Sequence, residues 1–132
     1  MLFRSNITCI AADGCTLEGC INRGDLVSTG GCSVAGVICL VNHNNVKVKD
    51  CASLGASIIS NSVNPDGDQT YTGVLYGQCK KTAPFSGCSV SGSIGRYGET
   101  PVTLTAENYF QYVGEKYEAN TTLNTTNITF AE

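Results

Sequence analysis

Eight cysteines are the main chemical resource of this 132-residue chain: Cys9, Cys15, Cys20, Cys32, Cys39, Cys51, Cys79 and Cys88. Thiols can hold metal, exchange electrons or cross-link. Zinc fails on spacing, since the chain has no Cys-x-x-Cys and a single histidine, His43. Redox catalysis lacks both that motif and an electropositive neighbourhood to lower a thiol pKa. Cross-linking remains, and with it an oxidising compartment. All eight cysteines are disulfide candidates, and the sequence does not choose their pairing. Four Asn-x-Ser/Thr acceptors, at Asn6, Asn120, Asn124 and Asn127, point the same way, towards an extracellular or cell-surface glycoprotein carrying N-linked glycans.

Two short runs have recognition or ligand chemistry. Arg23-Gly24-Asp25 resembles the integrin-binding tripeptide and lies between Cys20 and Cys32, so a recognition loop is one reading and an ordinary Gly-Asp turn the favoured one. Asn64-Pro65-Asp66-Gly67-Asp68 places oxygens close together, yet it lacks the spacing and distal glutamate of a calcium loop, and Pro-Asp-Gly is a strong turn signal. No nucleophile, metal-protease or phosphate-loop motif occurs, and Asp50, Asp66 and Asp68 are not joined by a catalytic cluster of Asp, Lys, Arg or His. The expectation is a non-enzyme with no cofactor and no metal. A net charge of −3 without a basic stripe argues against nucleic acid. No apolar run is long enough for a membrane helix. Met1–Arg4 begins no apolar leader, so any secretory signal is expected to have been removed, or the chain to be a segment of a longer precursor.

The elements that must carry these groups are short and repetitive. Gly31-Cys32-Ser33-Val34-Ala35-Gly36-Val37-Ile38 and Gly87-Cys88-Ser89-Val90-Ser91-Gly92-Ser93-Ile94 are nearly the same octapeptide. Gly14–Ile21 is a third copy, Cys51–Gly55 a looser fourth, and Gln69–Leu75 a fifth that has lost its cysteine. The five Cys-x-x-x-Gly units recur every 17 to 19 residues. Two positions after the cysteine stand Leu17, Val34, Ser53, Tyr71 and Val90; six after stand Ile21, Ile38, Ser57, Leu75 and Ile94, with Ile58 slipped by one. This period-two pattern predicts strands with one apolar face. A unit so short cannot bury that face alone, and stacking copies in parallel, about 4.8 Å apart, would. The glycine four places after the cysteine suits a bend or a close backbone approach.

Two longer blocks, Gly36–Ile58 and Gly73–Ile94, align with a one-residue gap. Gly73-Val74-Leu75-Tyr76-Gly77 resembles the opening of the glycine-rich GLUG-type repeats, and more loosely the polymorphic-outer-membrane-type repeats, of surface β-solenoids. Gly36–Leu40 lacks the second glycine, and Asn44-Asn45 replaces Asn-Gly. The resemblance covers residues 14–94 and implies a surface, adhesive or structural protein.

The expected fold is all-β: a parallel β-solenoid of about five short coils, with a disulfide-rich β-sandwich as the alternative. Residues 1–132 form one domain, divided into a lead strand (1–13), a repeat body (14–98) and a cap and Thr/Asn-rich tail (99–132). Pro101–Thr105 and Thr121–Phe130 read as strands, and Tyr109–Tyr117 as the aromatic cap. In adjacent coils Cys15 would meet Cys32, and Cys32 would meet Cys51, bonded or stacked as buried thiols, with Cys9, Cys20, Cys39 and Cys79 at corners. The expected role is structural or adhesive, including that of a subunit of an extracellular filament or coat. The partners are then further copies of itself or other extracellular proteins. The alternatives are a sandwich subunit that polymerises by donating Thr121–Phe130, and a receptor-binding module using Arg23–Asp25.

Overall fold

The computed structural model describes residues 8–10, 13–28, 34–43, 45–60, 72–80, 84–96, 98–115 and 123–132. Asn6, Cys32, Asn120, the Asn64–Asp68 run and the Gln69–Tyr71 start of the fifth unit lie outside them, and Cys9 is described by its backbone alone. The described chain is all-β. Its strands are β1 (Thr8–Ile10), β2 (Thr16–Glu18), β3 (Ile21–Asn22), β4 (Leu26–Ser28), β5 (Val34–Ala35), β6 (Ile38–Val41) and β7 (Lys47–Lys49), followed by β8 (Ala52–Ser60), β9 (Thr72–Gly73), β10 (Tyr76–Cys79), β11 (Phe85–Ser86), β12 (Cys88–Arg96), β13 (Val102–Thr103) and β14 (Ile128–Phe130). A 3₁₀ turn at Tyr109–Gln111 is the helical element among them.

Parallel pairing between distant segments dominates. β6 runs between β1 and β10, β7 between β2 and β11, and β5 beside β9. β8 holds β3 and β4 on one side and β12 on the other, and β12 takes β14 in parallel and β13 antiparallel. The in-register partners are far apart in sequence. Leu17 faces Val48 and Val48 faces Phe85, intervals of 31 and 37 residues. Thr8 faces Ile38 and Ile38 faces Tyr76, intervals of 30 and 38. These intervals are about twice the 17 to 19 residues read from the Cys-x-x-x-Gly units. The physical reason is that successive units sit on different sheets. Cys15–Gly19 runs along β2, while Cys51–Gly55 and Cys88–Gly92 run along β8 and β12.

The two long blocks do lie side by side. Ile38 faces Tyr76, Val48 faces Phe85, Ala52 faces Ser89 and Ile58 faces Ile94. The register shifts between Val90 and Gly92, which absorbs the one-residue difference. Gly92 has φ +113° there, and a Cβ on it would strike the Ala56 backbone. The expectation for the fourth residue after the cysteine therefore holds at this bulge.

Stacked apolar residues make the interior. Leu17, Val48 and Phe85 form one ladder, and Val48 and Phe85 are buried. Leu26, Ile58 and Ile94 form another, with Ile94 packed against both core clusters. Tyr76 stacks on Phe85 at 5.0 Å and its hydroxyl donates to the Asn124 carbonyl. Ile21, expected to face inward, is half exposed. It immediately follows Cys20, which packs against the core, and alternation along a strand turns the next side chain outward.

The segment after β12 covers the last rung. Val102–Thr103 pairs antiparallel with Ser93–Ile94, a shorter strand than the expected Pro101–Thr105. Of the expected aromatic cap Tyr109–Tyr117, the described part is the 3₁₀ turn followed by Tyr112–Glu115, which runs parallel beside Val74–Gln78. Tyr109 reaches Phe130 at 6.0 Å between ring centres, and Leu104 and Val113 are buried. In the tail, Ile128 is buried and Phe130 half-buried with Thr129 exposed between them, the one-sided face read from the sequence.

Candidate functional site

The most organised feature is a corner repeated down one side of the molecule. Gly19, Asp50, Gly87 and Asn127 have φ of +69°, +52°, +63° and +60°. Glycine, asparagine and aspartate are the residues that enter this left-handed region most readily. Each is followed by the first residue of a rung: Cys20, Cys51, Cys88 and Ile128. Backbone bonds tie these rungs together, from the Ala52 amide to the Cys20 carbonyl (2.9 Å) and from the Ser89 amide to the Cys51 carbonyl (3.1 Å). The Cys88 amide donates to Asn127 in turn (3.2 Å).

Cys20, Cys51 and Cys88 therefore stand one above another. Cys51 Sγ donates towards the carbonyls of Lys49 (3.3 Å) and Leu17 (3.6 Å), and Cys88 Sγ towards those of Val48 (3.4 Å) and Ser86 (3.6 Å). Burial pushes the Cys51 thiol up to about 11, and pushes Cys88 up as well. Both are held as protonated, weakly nucleophilic thiols. Cys15, Cys20, Cys51 and Cys88 are thiols in this structure.

This corrects the phase of the cysteine alignment. Cys15 does not occupy the Cys51 position. It lies opposite Val46, because Thr16 faces Lys47, and Cys20 takes the place facing Cys51. Cys20 is thus a rung member and not a corner. The missed signal was in the sequence: apolar, polar, Gly or Asp, then Cys occurs at Leu17–Cys20, Val48–Cys51 and Phe85–Cys88. Cys9, Cys39 and Cys79, also expected at corners, lie instead within β1, β6 and β10, with the Cys9 backbone level with Cys39 and Cys79 level with Val41, because the strands extend over them.

Comparison with protein-family models, curated proteins and solved structures finds no match.

Arg23, Gly24 and Asp25 join β3 to β4 alongside the middle of β8. Asp25 Oδ1 accepts the Ser57 amide (2.8 Å), and Asn22 clamps Gly24 through Nδ2 to its carbonyl (3.1 Å) and through Oδ1 to its amide (3.3 Å). Arg23 and Asp25 are exposed, but the carboxylate is already engaged in bridging β8. The stretch behaves as a bulge in a long strand run.

A cleft of about 350 Å³ opens between the end of β8 and the segment after β12. Ser60, Thr72, Glu99, Tyr112 and Glu115 line it. Ser60 Oγ and Thr72 Oγ1 are buried there without a hydrogen-bond partner. The cleft holds hydroxyls and carboxylates but no histidine. Among the described residues no group of three or more His, Cys, Asp or Glu is placed to hold a metal ion.

Two sequons can be placed. Asn127 is exposed and donates Nδ2 to the Phe85 carbonyl (3.1 Å) while shaping its corner. Asn124 is half-buried, with Nδ2 turned to Cys79 Sγ (3.9 Å). Asn127 is the more exposed of the two, and its Nδ2, the atom that an N-linked glycan takes, is the one bonded to Phe85. No helix among the described residues is long and apolar enough to cross a membrane.

Proposed function

We propose that the chain is a secreted or cell-surface, disulfide-bonded glycoprotein whose body is a parallel β-solenoid with a structural or adhesive role. The observation that carries this reading is the parallel pairing of Gly36–Ile58 with Gly73–Ile94, offset by one residue from the sequence alignment at its start, where Ala35 and not Gly36 faces Gly73, and flanked by β1–β4 before and β14 after. The likeness to glycine-rich surface repeats agrees with it. Such a body presents corners and loops on a rigid frame, which suits display more than turnover.

Both ends of the stack leave one-sided strands among the described residues, β11, β13 and β14 at the far end. β13 and the 3₁₀ turn lie over the last rung. Among the described residues, β2, β3 and β4 pair on one side only. Their outward side chains include Ile21 and Val27, both about half exposed. A one-sided strand row with apolar side chains favours self-association at that end, into a dimer or filament. Electron microscopy and sedimentation of the purified chain test this. Dimers or filaments are the expected result, and monomers at all concentrations would remove self-association from the proposal.

Strand donation from the tail is less favoured, because Ile128–Phe130 is already paired with β12 of its own chain. Integrin-type recognition is less favoured too, because Asp25 is tied to Ser57. Cell adhesion should accordingly be unchanged by Asp25→Glu. Lost adhesion would restore the receptor-binding alternative.

A further inference from the structure

We infer that Cys20 and Cys51 are a cross-strand disulfide site, closed by a small-molecule disulfide such as oxidised glutathione, with Cys88 as the reserve thiol of the same ladder. The inference uses strand register, and rests on the extracellular reading only for where the oxidant is met.

Strand register and access select the pair. Ile21 faces Ala52 and the Ala52 amide binds the Cys20 carbonyl, so the two cysteines are neighbours across one ladder step. Parallel neighbours sit about 4.8 Å apart, within the Cα separation of roughly 4.4–6.8 Å that a disulfide accepts. Access differs as well: Cys20 is partly exposed, whereas Cys51 and Cys88 are buried. Cys15 does not compete, because its ladder neighbour is Val46.

The chemistry balances in two exchanges. The Cys20 thiolate attacks glutathione disulfide, forming a mixed disulfide and releasing one glutathione thiolate. The Cys51 thiolate then attacks the Cys20 sulfur and expels the second glutathione. Two protein thiols are oxidised, one glutathione disulfide is reduced to two glutathiones, and the two thiol protons end on them. Cys51 is a poor thiolate at neutral pH, so the second exchange is the slow one and quickens as pH rises.

The test is oxidation of the folded, reduced full-length chain with glutathione disulfide. Free thiols are then alkylated and tryptic peptides mapped by mass spectrometry. Arg23, Lys47, Lys49 and Lys80 put the three cysteines on separate peptides, and fragmentation of the linked pair separates Cys20 from Cys9 and Cys15 on the first and Cys51 from Cys79 on the second. The expected product is a dominant Cys20–Cys51 link, with Cys88 alkylated only after denaturation. In Cys20→Ser the link moves to Cys51–Cys88. Cys88→Ala leaves Cys20–Cys51 intact. Circular dichroism confirms that each variant is folded, and the wild-type map decides the question if a variant is not. The inference is overturned if Cys51 stays a thiol while other cysteines oxidise, if it links outside the ladder, or if Cys51–Cys88 dominates in the wild type. None of these outcomes depends on whether the chain forms filaments, and the absence of filaments leaves the map unchanged.

Discussion

At Gly87 two demands meet in one residue. Its φ of +63° is left-handed, and a Cβ there would collide with the Asp50 carboxylate. Gly87→Ala should therefore destabilise the fold by about 1–3 kcal/mol, read as a lowered urea midpoint. Asp50 holds the same conformation with a side chain, at a cost of roughly 1 kcal/mol. Asp50→Gly should change stability by no more than about 1 kcal/mol, because relief of that strain opposes the added freedom of the unfolded chain. A large loss in Asp50→Gly would mean that the carboxylate itself holds the corner. Cys51 adds a pH dependence. Its thiol ionises near 9.0 when unfolded and near 11 when folded. Between those values the unfolded chain binds fewer protons, so this contribution is complete below about pH 9 and is lost as pH rises through 11. Denaturation midpoints of reduced protein should fall across that window, and by less in Cys51→Ala. At this scale the residue types were legible, since Gly, Asp and Asn before each rung are the residues such a turn favours. Their phase was not. Gly14-Cys15 and Gly19-Cys20 look alike in the sequence, and only strand pairing distinguishes the one facing Val46 from the one facing Cys51.

Between strands, the ladder of Leu26, Ile58 and Ile94 offers a direct comparison. Ile58 is fully buried, and Ile58→Ala should cost about 2–5 kcal/mol. Ile21 is half exposed on an edge strand, and Ile21→Ala should stay within about 0.5 kcal/mol. Equal losses at the two sites would contradict the burial described for β3. The pairing of the two long blocks was readable from sequence because each carries glycine, an apolar triplet, a cysteine and a final isoleucine in the same order. The number of rungs was not. Period-two alternation reports which face of a strand is apolar, but says nothing about which strand lies beside it. Two strands from different sheets of one rung then count as two rungs. The bond from Asp25 to Ser57 was equally invisible, because it joins residues 32 apart through a bulge.

For the whole molecule, uneven edges imply uneven protection. Amides in β8 and β12 lie between partners on both sides, whereas β2, β3 and β4 are paired on one side among the described residues. Hydrogen exchange should be slowest in β8 and β12 and faster in β2, β3 and β4, and protein concentration should slow these edges first if copies associate there. Uniform exchange across the sheets would argue against an open first rung. The candidate cleft was not legible in the sequence, since Ser60, Thr72, Glu99 and Glu115 are brought together only by the turn back after β12. The register intervals have one further consequence. Ala52 and Ser89 are 37 residues apart and make equivalent contacts with the rung before each. An in-frame duplication of 37 residues beginning at Ala52 would add a storey and leave both termini in their present settings. A duplication of half that length would land every inward side chain on the wrong wall. On the solenoid reading proposed above, the chain lengthens by whole rungs and not by halves of one.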